Sequence, residues 1–148
     1  LVQFLSPDSP FLFQEKTDEE SWFVGLEGTP QLVARSYFAG SSSEQQAPVQ
    51  LNEPTVVSFS FSSSEIQISV RGISEEPLPV EGWDFTDQPL YLGGDNSRFG
   101  ELEIKELLLF PRVLTNDERQ RFEGRLSYVY GVPLDSDHPY SSEPPKDI

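Results

Sequence analysis

The chain has 148 residues, 36% hydrophobic and 12% aromatic, which suits one domain around one core. Its net charge of −15 repels phosphate backbones and anionic membrane surfaces, so neither nucleic acid nor a membrane is an expected partner. With no Cys it has neither a disulfide framework nor a thiolate metal site.

No basic-then-apolar leader and no long apolar run occurs, so no membrane insertion is expected. There is no Met, and Leu1 is expected to be a processed, trimmed or fragment end. Leu1 to Leu5 predicts a first strand, stopped by Ser6-Pro7-Asp8-Ser9-Pro10. Phe11-Leu12-Phe13, Trp22-Phe23-Val24 and Gln31 to Phe38 predict further strands, with a polar turn from Lys16 to Glu20. Gly40 to Gln46, rich in Ser and Gln, predicts a loop. In Thr55 to Phe61, Val57, Phe59 and Phe61 alternate with Val56, Ser58 and Ser60; in Glu65 to Arg71, Ile66, Ile68 and Val70 alternate with Gln67 and Ser69. Period two joined through Ser62-Ser63-Ser64 predicts an antiparallel hairpin. Pro77 and Pro79 exclude a central strand from Ile73 to Thr86. Pro89 to Leu92 predicts a short strand ending at Gly93-Gly94. Glu101 to Phe110 predicts the most apolar strand, buried on both faces and ended by Pro111.

One helix follows. Thr115 and Glu118 form a capping box, and Asp117 and Glu118 complement the positive end of the helix dipole. Phe122, Leu126, Val129 and Tyr130 predict one apolar stripe, and Gly131 and Pro133 end the helix. The expected fold is mostly β: an antiparallel β-sandwich over residues 1–133 with one short C-terminal helix, then an extended Pro-rich strap or linker over 134–148.

The segment from Phe99 to Pro145 carries a family likeness. Phe99-Gly100, then Ile104 to Phe110, then Arg112-Val113-Leu114-Thr115 resembles the last core strand of laminin-G-like domains in the concanavalin A-like lectin/glucanase superfamily. Glu118-Arg119-Gln120, Phe122-Glu123-Gly124, Leu126 and Tyr130-Gly131-Val132 are similar to the short helix of those domains. Leu134, Asp137-His138-Pro139-Tyr140 and Pro144-Pro145 resemble the tail of the bacterial secreted and phage-borne copies. The likeness is close over about a third of the chain and implies a jelly-roll sandwich. The usual N-terminal Trp-x-Asp-x-Ser-Gly element is absent, so the chain is expected to be either a C-terminal piece of a larger polypeptide or a divergent, shortened version, in which a strand set would be missing. That would leave an open edge for a neighbouring segment or subunit to cover.

The residue types with chemistry to offer are few. Glu101, Glu103 and Glu106 lie on one predicted strand. Glycan hydrolases that share the implied fold use a Glu-x-Asp-x-x-Glu strand, but here the middle residue is Glu, and structural carboxylates are the expectation. His138 is the only His; no Gly-x-Ser-x-Gly elbow accompanies it, and packing in the strap is expected. Asp95 and Asn96, with Asp84 and Asp87, are candidate calcium ligands because calcium takes six to eight oxygens; tight-turn chemistry is the alternative. Trp83, Trp22, Tyr37 and Tyr140 are candidates for stacking on a sugar or anchoring an interface, with burial as the alternative. Trp83, Tyr37, Asp95 and Asn96 form the expected ligand-binding set.

The resemblance implies a non-catalytic recognition or adhesion module outside the cell, on its surface or on a virion, that binds glycan or protein surfaces. The alternatives are a virion or surface-assembly protein that contacts other subunits, and a glycan hydrolase. No cofactor other than calcium is expected.

Overall fold

The structure is a computed structural model that describes residues 1–17, 20–62, 64–80, 88–94 and 97–146, with Lys16 described by its backbone alone. Its strands are β1 (Val2–Phe4), β2 (Pro10–Thr17), β3 (Glu20–Leu26), β4 (Gln31–Phe38), β5 (Ser41–Pro48), β6 (Val57–Phe61), β7 (Glu65–Val70), β8 (Ile73–Ser74), β9 (Leu78–Pro79), β10 (Tyr91–Leu92) and β11 (Leu102–Ile104). One helix, α1 (Asn116–Tyr130), follows them. The chain is mostly β, antiparallel throughout its pairings, with the helix at its C-terminal end.

Two layers enclose the core. The first is a five-stranded sheet in the order β10-β2-β3-β4-β5. The second is built from the β1–β11 pair and from β7, which pairs with β6, β8 and β9. A bridge between Val2 and Thr55 joins the two parts of the second layer. Period two explains the core. Trp22, Val24 and Leu26 of β3 point inward with Leu32 and Ala34 of β4, and meet Val2, Phe4, Ile68 and Val70 of the other layer. Phe13, Phe23 and Val33, one residue out of phase, make a small cluster on the back of the first sheet.

The hairpin of β6 and β7 stands in the expected register, with Val57 opposite Val70, Phe59 opposite Ile68 and Phe61 opposite Ile66. The capping box is present at Thr115 and Glu118, and Gly131 ends the helix in the left-handed conformation at φ 65°. Val132 and Leu134 beyond it are buried with Leu1, Val56 and Leu126.

Four expectations need correction. The Ser- and Gln-rich stretch from Gly40 to Gln46 is β-strand: Ala39 and Gly40, at φ 48° and 81°, make a two-residue hairpin turn into β5. Gln45 and Ala47 turn inward there while their neighbours face water, so the strand needs little apolar content. Lys16, Thr17 and Glu20, placed in a turn, belong to strands: β2 runs to Thr17 and β3 begins at Glu20. The apolar run from Glu101 to Phe110 is strand only from Leu102 to Ile104. Beyond the start of β1 it has no paired neighbour among the described residues, and Leu109 is 61% exposed. Along α1 the buried residues are Glu123, Gly124 and Leu126, while Val129 is 59% exposed. The helix lies over the Ser face of β6 and β7, which selects a polar stripe instead.

Candidate functional site

A groove of about 550 Å³ runs between the two layers, under the N-terminal half of α1. Trp22, Phe11 and Leu12 form its floor, Phe59 and Phe61 of β6 one wall, and the irregular segment 106–110 the other. Phe122 and Leu126 of the helix also reach it. Gln14, Gln67 and Arg119 add polar groups to its lining.

Strand alternation determines what the β6 wall offers. Arg71 N–H donates to Val56 O at 2.8 Å and Ser62 N–H donates to Glu65 O at 2.9 Å, so the even residues of this strand address β7. Thr55 N–H donates to Val2 O at 2.8 Å, on the opposite side. The N–H and C=O groups of Val57, Phe59 and Phe61 therefore face the groove. No strand pairs with that edge among the described residues. An unpaired edge beside an apolar floor is a surface prepared for contact.

The aromatic floor is held in place. Trp22 lies opposite Gln14 across β2 and β3, and its indole N–H donates to Gln14 Oε1 at 2.9 Å. Gln14 Nε2 donates in turn to Gln88 O at 2.5 Å. The indole stacks on Phe61 with ring centroids 4.5 Å apart and lies 6.2 Å from Phe59. Phe110 and Phe122 lie 4.8 Å apart at the groove's other end.

The sequence candidates fall differently. Trp22 is in the groove. Tyr37 is not: it shares the face of Val33 and Arg35 on β4, whereas Trp22, Ala34 and Ser36 share the groove side. Tyr140 packs against Gly124 and lies 6.0 Å from His138. Trp83, Asp84, Asp87, Asp95 and Asn96 lie outside the described residues. Among the described residues no group of three or more acidic or His side chains is gathered as a metal ion needs. No helix among them is long and apolar enough to cross a membrane.

Two carboxylates of the β11 segment have partners of their own. Glu103 pairs with Lys105 at 2.9 Å in the open. Glu106 accepts from the Tyr130 hydroxyl at 3.1 Å, with Arg125 at 3.8 Å, and this hydrogen bond holds the Tyr130 phenol above its ordinary pKa. Glu106 is the single acidic residue among the described groove lining.

Sequence inspection missed the most buried ionic group. Glu123, 1% exposed, accepts from Ser58 Oγ at 2.7 Å and pairs with Arg119 at 2.8 Å. His138 Nε2 lies 3.1 Å from its other oxygen. Because His138 Nδ1 accepts the Tyr140 N–H at 3.2 Å, the Nε2 atom is the ring donor. The group clasps helix, sheet and strap together, and Arg119 also donates to Ser69 at 3.2 Å. The available signal was an i,i+4 Arg–Glu pair that adjoins Leu126 and Tyr130 of the expected stripe.

Comparison with models of known protein families, with characterised proteins and with solved structures found no match.

Proposed function

We propose that the chain is a non-catalytic recognition module, laminin-G-like in type and acting outside the cell, that holds a glycan or protein surface in the groove between its layers. The observation that carries this reading is the aromatic groove of about 550 Å³, with Trp22 fixed by Gln14 and stacked on Phe61. Such a concave, mostly apolar site with a few placed polar groups is the form in which proteins receive ligands. The single groove carboxylate among the described residues supports a binding role over glycan hydrolysis, which uses two carboxylates flanking the bond.

The test is binding to an array of glycans and to immobilised extracellular proteins, compared with the variants Phe61→Ser, Phe110→Ser and Trp83→Ala. Loss of a measured interaction in the Phe61 and Phe110 variants, with the fold intact by circular dichroism, is expected. Binding unchanged in both contradicts the groove as the site.

An assembly role has its own support. Leu109, Phe110, Val113, Tyr128 and Val129 are all exposed large apolar residues. In a virion or surface array such residues would meet neighbouring subunits. A symmetric oligomer by light scattering favours this second reading, and a monomer at all concentrations counts against it.

A further inference from the structure

The strap after α1 hangs on one side chain. Val132 and Leu134 root it among Leu1, Val56 and Leu126. Across residues 135–146 the one buried residue is His138, whose side chain has no exposed surface. The ring lies against Gly72, where a Cβ would strike it, and Tyr140 lies against Gly124 in the same way.

The buried group around the ring is balanced in charge. Arg119 donates to both oxygens of Glu123, at 2.8 and 2.9 Å, and Ser58 donates to one of them at 2.7 Å. His138 Nε2–H takes the remaining place at 3.1 Å. One cation meets one carboxylate, and the imidazole completes the group as a neutral donor. Its other nitrogen, Nδ1, accepts the Tyr140 N–H at 3.2 Å, so the backbone of the strap needs that nitrogen unprotonated. The remaining charged groups around the ring have other partners. Arg71 in the turn beside Gly72 donates to Pro133 O at 3.3 Å, and Asp135 in the strap accepts the Asp137 N–H at 3.0 Å, leaving Asp137 exposed.

We propose that residues 135–146 are an acid-released latch, closed while the His138 ring is neutral and opened when the ring takes a proton. Imidazole is the side chain whose ordinary charge change falls between about pH 5 and 8. A proton on Nδ1 turns the acceptor of the Tyr140 N–H into a donor that faces a donor. It also brings a second cation to a buried carboxylate already paired with Arg119. Both costs vanish when the ring leaves Gly72 and meets water. Closure is therefore favoured at neutral pH and lost as pH falls. Val132 and Leu134 carry no titratable group, so the strap opens from a fixed root while the two sheets stay closed. The latch is independent of what the groove holds.

The test is amide exchange of the chain at about pH 8 and about pH 5, corrected for the intrinsic rate at each, on the native sequence and on His138→Gln. Gln keeps a donor for Glu123 and has no titrating ring. In the native chain, protection at Tyr140 and Ser141 is expected to fall by about ten-fold or more in acid, with Val24 and Val33 in the first sheet unchanged. In His138→Gln, protection at Ser141, whose N–H donates to the backbone O of residue 138, is expected to be the same at both pH values. Protection that holds or rises in acid overturns the latch, and so does an equal fall in His138→Gln. A fall shared by Val24 and Val33 assigns the effect to global unfolding and overturns it too. If the variant strap is unprotected at both pH values, the ring titration of the native chain by NMR decides. A protonation midpoint that coincides with strap opening upholds the latch, and one that does not overturns it.

Discussion

Glu123 ties the helix to β6 and to the segment after the helix. Its carboxylate is buried and held by Arg119, Ser58 and His138 at once. Removing one partner of a buried ionic pair leaves the other uncompensated, so Glu123→Gln is predicted to cost about 3 kcal/mol of unfolding free energy in urea. Ser58→Ala removes one neutral donor and is predicted to cost about 1 kcal/mol; equal costs for the two would contradict the charged network. Gly72 is coupled to the same place, since it holds φ 85° and a Cβ there would meet the His138 ring. Gly72→Ala is predicted to destabilise by about 2 kcal/mol, with faster proteolysis of the strap as its signature. Little of this was legible in the sequence. A Ser on the polar face of an alternating strand reads as facing water, and only the helix laid over β6 and β7 turns Ser58 and Ser69 into buried partners. The lone His was read as a packing residue, but its partner lies 15 residues earlier, at a charged helix position that hydropathy assigns to solvent.

At the scale of elements, the capping box was legible because its chemistry is local. Thr115 accepts from the Glu118 N–H, and Glu118 accepts in return from the Thr115 N–H at 2.9 Å. Arg112 adds a two-pronged ion pair to Glu118 at 2.6 and 2.8 Å. That pair and the Thr115 backbone hydrogen bond lower the Glu118 pKa from 4.5 to about 2. The folded-state pKa is depressed, so the contribution is present above 4.5 and is lost as pH falls toward 2. The melting-temperature difference between the native chain and Glu118→Gln is predicted to be present at pH 7 and to vanish near pH 2; a difference constant across that range would contradict the ion-pair assignment. β5 was illegible for the opposite reason. Its sequence is polar because it is an edge strand with one inward row, and Gln45 is satisfied there by accepting the Ile68 N–H at 2.9 Å and donating to Glu76 O. Gln45→Ala is predicted to loosen β5 from β7, read as faster amide exchange at Ile68.

At the scale of the whole molecule, alternation in β6 and β7, with short apolar runs at β3 and β4, was enough to foretell an antiparallel sandwich. The groove was not foretold, because it depends on what lies beside the run from Glu106 to Phe110. Composition alone makes that run a buried strand, yet a strand needs neighbours on its edges as well as apolar side chains. In this fold the run lacks a paired strand along its length among the described residues, and so does β6 across the gap. Floor, walls and open edge together make the site, and they come from residues separated by most of the chain.

The most direct test of this account is amide exchange of the chain alone, read residue by residue along β6. The account predicts slow exchange at Ser58 and Ser60, which address β7, and fast exchange at Val57, Phe59 and Phe61, which address the groove. Uniform protection of all five would mean that the edge is already paired, and would contradict a groove lined by the unpaired edge of β6.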